Sequence, residues 1–261
     1  MTIFLQELKK NRLALIIWSC AVALLLAMTA ALYPIIKVEL ENMEDMFAGL
    51  GDLSGALGFD QLQNGGFLGY FATECSEALG LGGAIFAALM TVGTLAGEEH
   101  SHTAEFLLTH PISRTRVVTE RALAVLTELI VFNLAAVLST TIAVGIIAEE
   151  VDAAKLALIF LSAFILQVEF AAVCLLISSF AVKGGTGIAL GVTIGAYFIN
   201  LIGSVSEETE ILKYLTPYSL LDGAYINENA ALELKYLPVI IIVTATSVVL
   251  TYLWYNKKDI K

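Results

Sequence analysis

Residues 13–32 read LALIIWSCAVALLLAMTAAL, twenty residues without a charge. The hydrocarbon core of a bilayer takes about 20 apolar residues per α-helix, so this run is long enough to cross it. Similar windows recur at roughly Ala78 to Gly97, Ala122 to Ile147, Leu156 to Val182, Thr186 to Val205 and Leu237 to Trp254. These runs are too long for β-barrel strands and lack their period-two alternation, whereas a helix satisfies its backbone groups within its own segment. The composition agrees: 58% of the 261 residues are hydrophobic, 15% are charged and the mean hydropathy is +0.82, far from a soluble domain. The expected fold is an all-α integral membrane protein with six transmembrane helices, forming one domain over residues 1–261.

Charge orients the spans, because cytoplasmic flanks collect Lys and Arg. With both termini inside, the inner side holds Lys9, Lys10, Arg12, Arg114, Arg116, Arg121, Lys183, Lys257, Lys258 and Lys261. The outer side keeps only Lys37, Lys155, Lys213 and Lys235. Acids concentrate outside, as in Glu39, Glu41, Glu44 and Asp45, then Glu149, Glu150 and Asp152, then Glu207, Glu208 and Glu210. The net charge of −11 is therefore mainly a property of the outer face, read as solvated loops, with attraction of cationic substrates as the alternative. Lys9, Lys10 and Arg12 before an apolar run resemble a secretory signal, but the run is too long for a signal core and reads as an uncleaved first span. Ile3, Phe4, Leu5 and Leu8 alternate with polar residues, which suits a short amphipathic helix at the inner interface.

Cys20, Cys75 and Cys174 show no paired spacing, and His100, His102 and His110 have no partner ligands, so no disulfide framework or metal site is expected. Connections of a few residues make spans three, four and five antiparallel neighbours, while Tyr33 to Glu77, Glu98 to Arg121 and Ser206 to Tyr236 are long. The last of these carries Ile211, Leu212, Tyr214, Leu215, Tyr218, Leu220, Leu221 and Tyr225 around Pro217, a composition that suggests a hairpin re-entering the outer interface. Gly187, Gly191 and Gly195, and Gly93 with Gly97, are spaced to let another helix approach closely. A carboxylate near mid-bilayer costs about 2.5 to 3.5 kcal/mol on insertion scales and so faces protein or water. Glu169 is the clearest case, with Glu128, Asn133, Gln167 and Asn200 as further intramembrane polar residues. They are read either as interhelical hydrogen bonds or as the lining of a substrate pathway.

The second inner loop reads GEEHSHTAEFLLTHPISRTR from Gly97 to Arg116. Pro111 ends a short helix over Glu105 to Leu108, and Ser113 or Thr115 can cap the helix that follows. Phe106, Leu107, Leu108 and Ile112 form an apolar knob on the cytoplasmic side, which asks for a partner surface. Here the sequence resembles the permeases of type-2 ABC exporters. In that family the second span ends in acidic residues followed by a pattern close to Gly-Thr-x-Glu-x-Leu-Leu-x-x-Pro-Ile-Ser-Arg. This chain has Glu98, Glu99, Thr103, Glu105, Leu107, Leu108, Pro111, Ile112, Ser113 and Arg114, with His102 in place of the family's glycine. The basic opening from Glu7 to Arg12 and the Tyr214-Leu-Thr-Pro-Tyr-Ser stretch agree with it.

The resemblance implies a coupling helix between spans two and three that docks on a cytoplasmic ABC ATPase subunit, which binds ATP and Mg. Glu98, Glu99, Thr103, Glu105, Phe106, Leu107, Leu108, Pro111 and Arg114 are the coupling residues it implies. It implies a second permease copy or a homologous permease, a place in the plasma membrane, and an outer gate at Tyr214, Pro217 and Tyr218. No Gly-x-x-x-x-Gly-Lys-Ser/Thr loop is present, so no catalytic residue or cofactor is expected in this chain, and no nucleic-acid partner. An intramembrane protease is the enzymatic rival, but the arginine of its Glu-Glu-x-x-x-Arg motif is replaced by Thr103. An ion-coupled transporter or a membrane scaffold would not need the inner loop.

Overall fold

A computed structural model of the chain describes residues 2–42, 65–100, 113–147, 151–180 and 185–257. Among these residues there is no strand, and six helices are long and apolar enough to cross a membrane. The first span is α1 (Thr2–Asn42). The second is built from α2 (Gly66–Cys75), a π-helical segment (Ser76–Gly82) and α3 (Gly83–His100). Helices α4 (Arg114–Ile147), α5 (Ala153–Phe180) and α6 (Gly185–Gly203) follow. Two 3₁₀ segments (Glu207–Leu215 and Pro217–Leu220) and α7 (Gly223–Asn229) lead to α8 (Leu237–Lys257).

Each of the six apolar windows lies on one span, although the fourth and fifth windows end two residues beyond the described helices, at Val182 and Val205, and several helices run past their windows. With 41 and 34 residues, α1 and α4 are about 60 and 50 Å long, against a hydrocarbon core of about 30 Å. The amphipathic opening is accordingly not a separately bounded helix: it is the first turns of α1. Residues 3–13 contain no Gly or Pro that would stop a helix. Nor does all of Tyr33 to Glu77 form a loop, since α1 continues to Asn42 and α2 starts at Gly66; the acidic, glycine-rich stretch 43–64 lies outside the described residues.

Side-chain bonds give the helix directions. Ile3 and Asn11 of α1 meet Glu120 and Glu128 of α4 at a constant offset of 117 residues, so these helices are parallel. In α3 and α5, the backbone N–H of Leu95 donates to Ser178 Oγ at 3.0 Å, and Ser178 Oγ donates to the Val92 carbonyl at 2.7 Å. Arg114 and Thr119 at the start of α4 meet the end of α8, so that pair is antiparallel. The second and fourth spans form the centre: 67% of their most apolar windows is buried, against 28% or less in the others. Phe86 of α3 stacks on Phe132 of α4 at 4.5 Å, with Trp18 of α1 at 5.8 Å from Phe86. The outward faces of α1, α4, α6 and α8 remain apolar, as with Ile16, Leu134, Phe198 and Ile242, which a bilayer accommodates. The notch of Gly187, Gly191 and Gly195 receives no helix among the described residues.

Candidate functional site: inner helix ends and buried polar residues

The inner loop leads into α4 through Ser113, whose Oγ accepts the backbone N–H of Arg116 at 3.3 Å. Ser113 is therefore the N-cap, and Thr115 does something else: its Oγ1 accepts from Asn256 Nδ2 of α8 at 3.4 Å. Arg114 Nη1 donates to the carbonyls of Tyr255 and Asn256 at 3.2 and 3.3 Å, and the hydroxyls of Thr119 and Tyr252 share a hydrogen bond of 2.7 Å. One turn further, Glu120 Oε2 accepts the N–H groups of Ile3 and Phe4 at 3.1 and 3.2 Å, capping the start of α1, while its Oε1 pairs with Arg116 at 2.7 Å. Glu98 and Glu99 lie in the last turn of α3. Thr103, Glu105, Phe106, Leu107, Leu108 and Pro111, together with the expected coupling helix, lie outside the described residues.

Of the five intramembrane polar residues, read as interhelical hydrogen bonds or as pathway lining, Asn133 and Gln167 come together and the other three lie apart. Glu128 is fully buried on the seam of α1 and α4, where Asn11 Nδ2 donates to its Oε2 at 3.3 Å. Beside it Glu7 pairs with Lys10 at 3.0 Å and Arg121 at 4.0 Å, so Arg121 and Glu128 share a helical face but each meets its own partner on α1. Asn133 and Gln167 do meet: Asn133 Nδ2 donates to Gln167 Oε1 at 2.6 Å, and Gln167 Nε2 donates to the Leu79 carbonyl at 3.0 Å. Leu79 lies in the π segment, where wider winding disrupts the ordinary backbone ladder and a side chain from a neighbouring helix supplies a donor. Glu169 is two residues from Gln167 and thus on roughly the opposite side of α5. It is 6% exposed, and its Oε2 has no partner among the described residues. It shares a face with Ile165, which packs on the cluster of Leu220, Tyr236 and Ile240 at the start of α8. Asn200 is near the end of α6, its Oδ1 likewise unpartnered among the described residues.

At the other end of the bundle Pro217 and Tyr218 are buried, whereas Tyr214 is 39% exposed and stacks edge-on against Tyr236 at 4.9 Å. Tyr218 sits between Phe170 and Tyr197 at 5.4 and 5.6 Å, and Tyr197 donates to Glu77 Oε1 at 2.7 Å. Gly223 packs so closely on Ala72 that a Cβ there would lie 2.5 Å from the alanine's. Asn227 Nδ2 donates to the Gly65 carbonyl at 3.2 Å. The segment is thus seated on the beginning of the second span.

These observations describe six apolar helices around a central second and fourth span, with an ordered cap at one end and tied helix ends at the other. The family model described as ABC-2 family transporter protein matches residues 1–260. The chain belongs to this family. As an ABC-2 transporter permease it is a multi-pass transmembrane protein and the membrane component of a transporter. No curated protein matches the chain.

Three features of this permease escaped the sequence reading: the π segment, the Arg114 contacts to α8, and the burial of Glu7 with Arg121. Gly80 and Gly82 lie within the first, and Gly83 directly after it makes room for Gln167, since a Cβ there would meet Gln167 Nε2. On the segment between α6 and α8, hydrogen bonding to Lys235 at 2.6 Å holds the Glu210 carboxyl below the usual carboxylate range. The same bond, with that to Glu233 at 2.6 Å, raises the Lys235 ammonium above the usual lysine value.

Proposed function

We propose that this permease is the single-domain transmembrane subunit, residues 1–261, of an ATP-driven exporter in the plasma membrane, with both termini cytoplasmic. The observation that carries this reading is the family match over residues 1–260 together with the Glu98 to Arg114 motif. A separate cytoplasmic ABC ATPase binds ATP and Mg, and this chain contributes no catalytic group. Phe106, Leu107 and Leu108 form the apolar knob that docks on that ATPase, flanked by Glu98, Glu99, Thr103, Glu105 and Pro111. A second copy or a homologous permease completes the pathway. The substrate is a peptide, antibiotic or lipid-like amphipath, as the few charges inside the spans favour an amphipathic cargo.

Among the intramembrane polar residues, Glu169 and Asn200 are the pathway candidates, because each has an unpartnered oxygen and no side-chain bond to another helix among the described residues, whereas Glu128 and Asn133, which also keep one unpartnered oxygen each, are bonded across helices. Glu128, Asn133 and Gln167 instead hold helices together through the bonds described above. Tyr214, Pro217 and Tyr218 belong to the outer gate, and the first turns of α1 brace the bundle at the inner interface. The test is co-purification of the membrane-extracted chain with ABC ATPase subunits of its host, comparing wild type with the Leu107→Asp, Leu108→Asp double variant. The reading requires an ATPase to accompany wild type and to be lost from a variant that still folds. An ATPase that accompanies neither chain under any nucleotide condition refutes it.

A further inference from the structure

We infer that Arg114 is a positioning residue acting on the last span: it ties the end of the inner loop to α8, and α8 carries the loop's movement to the outer segment. This rests on the ATPase-driven reading above, and it revises the role that the motif assigns to Arg114, from a contact with the ATPase to a contact within the permease.

The last carbonyls of a helix have no partner within it, and a cation at that end favours both hydrogen bonding and the helix dipole. Arg114 Nη1 meets two such carbonyls, those of Tyr255 and Asn256, in the last turn of α8. The bonds of Thr115 to Asn256 and Thr119 to Tyr252 repeat the tie over the next turns of α4. Tyr255 is 5% exposed and packs with Ile3, Leu95, Val117, Val118 and Leu175, so five helices meet at this point. Arg114 is also the first helical residue after the inner loop, separated from Pro111 by two residues. Any displacement of that loop reaches α4 through Arg114.

Helix α8 contains no glycine, and its one proline, Pro238, sits in the first turn where it does not break the helix, so α8 is a stiff rod of 21 residues, about 31 Å long. Its other end starts directly after Tyr236, which is 1% exposed, packs with Leu220 and Ile240, and stacks on Tyr214. The rod thus has one end clasped by α4 and the other built into the segment that holds Tyr214 and Tyr218. Packed elements move as units rather than deforming continuously, so a push on the clasp is felt at the far end.

The experiment compares wild type, Arg114→Ala and Arg114→Lys in the full chain in nanodiscs, in a Cys20→Ser background with a reporter, Leu234→Cys, on the exposed outer loop. Hydrogen exchange over residues 252–257 is read without any ATPase, and maleimide labelling of the reporter is read with the ATPase, with and without ATP. Arg114→Ala should raise exchange in the last turn of α8 about tenfold, as expected for loss of a charge-assisted bond. It should still co-purify with the ATPase but lose the ATP-dependent change in labelling, with partial recovery in Arg114→Lys, whose ammonium can reach one carbonyl. Unchanged exchange overturns the clasp whether or not an ATPase binds. Loss of the ATPase from Arg114→Ala makes the residue a docking contact, and a preserved ATP-dependent change in labelling shows that the tie transmits nothing; either result overturns the inference. If wild type itself binds no ATPase, the functional reading fails, and transmission to a motor fails with it, while the exchange result still decides the clasp.

Discussion

Replacing Gly83 by Ala should destabilise the bundle in the wild-type background and do the reverse once Gln167 is shortened. A Cβ on Gly83 would fall 2.3 Å from Gln167 Nε2 and 3.0 Å from its Cδ, so the amide must move. It cannot move without leaving the Leu79 carbonyl at 3.0 Å or Asn133 Nδ2 at 2.6 Å, and Gln167 is fully buried. Interhelical hydrogen bonds in membranes are worth about 0.6 to 2 kcal/mol each, and a buried group left unpaired costs about 1 to 3 kcal/mol. Gly83→Ala should therefore cost about 1 to 3 kcal/mol, and Gln167→Ala a similar amount. In the Gln167→Ala background the obstruction is gone, and alanine is favoured over glycine in a helix by about 0.5 to 1 kcal/mol. The second substitution should then stabilise. Unfolding of the four proteins of this cycle in mixed micelles, followed by Trp18 fluorescence and circular dichroism, gives the coupling. Additive effects of the two substitutions would refute the clash, because they would mean that Gln167 does not occupy the space beside Gly83.

Glu120→Ala removes the cap of α1 and should cost about 0.5 to 2 kcal/mol, seen as faster hydrogen exchange over residues 3–8 with the centre of α1 unchanged. Gly223→Ala should separate α7 from α2, raising exchange over residues 216–230, while the more distant inner ends keep their wild-type protection. The Glu210 carboxyl is depressed by Lys235, so its contribution to holding the outer segment is complete above the ordinary carboxylate pKa of about 4.3 and lost as pH falls through its lower folded value. The Lys235 ammonium is raised, so its share is complete below about 10.4 and lost at still higher pH. Protection near Tyr236, taken relative to the intrinsic exchange rate at each pH, should thus fall at both extremes in wild type and become flat with pH at these ends in Lys235→Met. A Glu169→Gln variant that expresses normally should lose transport of the amphipathic cargo; unchanged transport would remove Glu169 from the pathway.

Fold class and span positions were legible in the sequence because the bilayer demands the same thing of every crossing segment: about 20 residues without uncompensated charge, with backbone groups satisfied locally. The family was legible in the run from Glu98 to Arg114, where several residue types at fixed spacing coincide. Composition also located the intramembrane polar residues, but it could not group them. Gln167 and Glu169 are neighbours in sequence and face opposite sides of α5, so one donates to the π segment and the other shares the face that packs at the start of α8. Partner choice is a property of helix rotation and register, which depend on the packing of neighbouring helices and leave little trace in a nearly uniform apolar sequence.

The sequence alone determined that this protein is a helical multi-pass membrane protein with six segments able to cross a bilayer, since the hydrophobic effect and backbone hydrogen bonding act on each segment separately. Only the tertiary structure decided that Arg114 reaches the end of α8, that Glu7 lies beside Arg121, and that Gly83 makes room for Gln167. These contacts join residues 84 to 142 positions apart, and what creates them is the three-dimensional meeting of helix faces rather than any local preference of the chain.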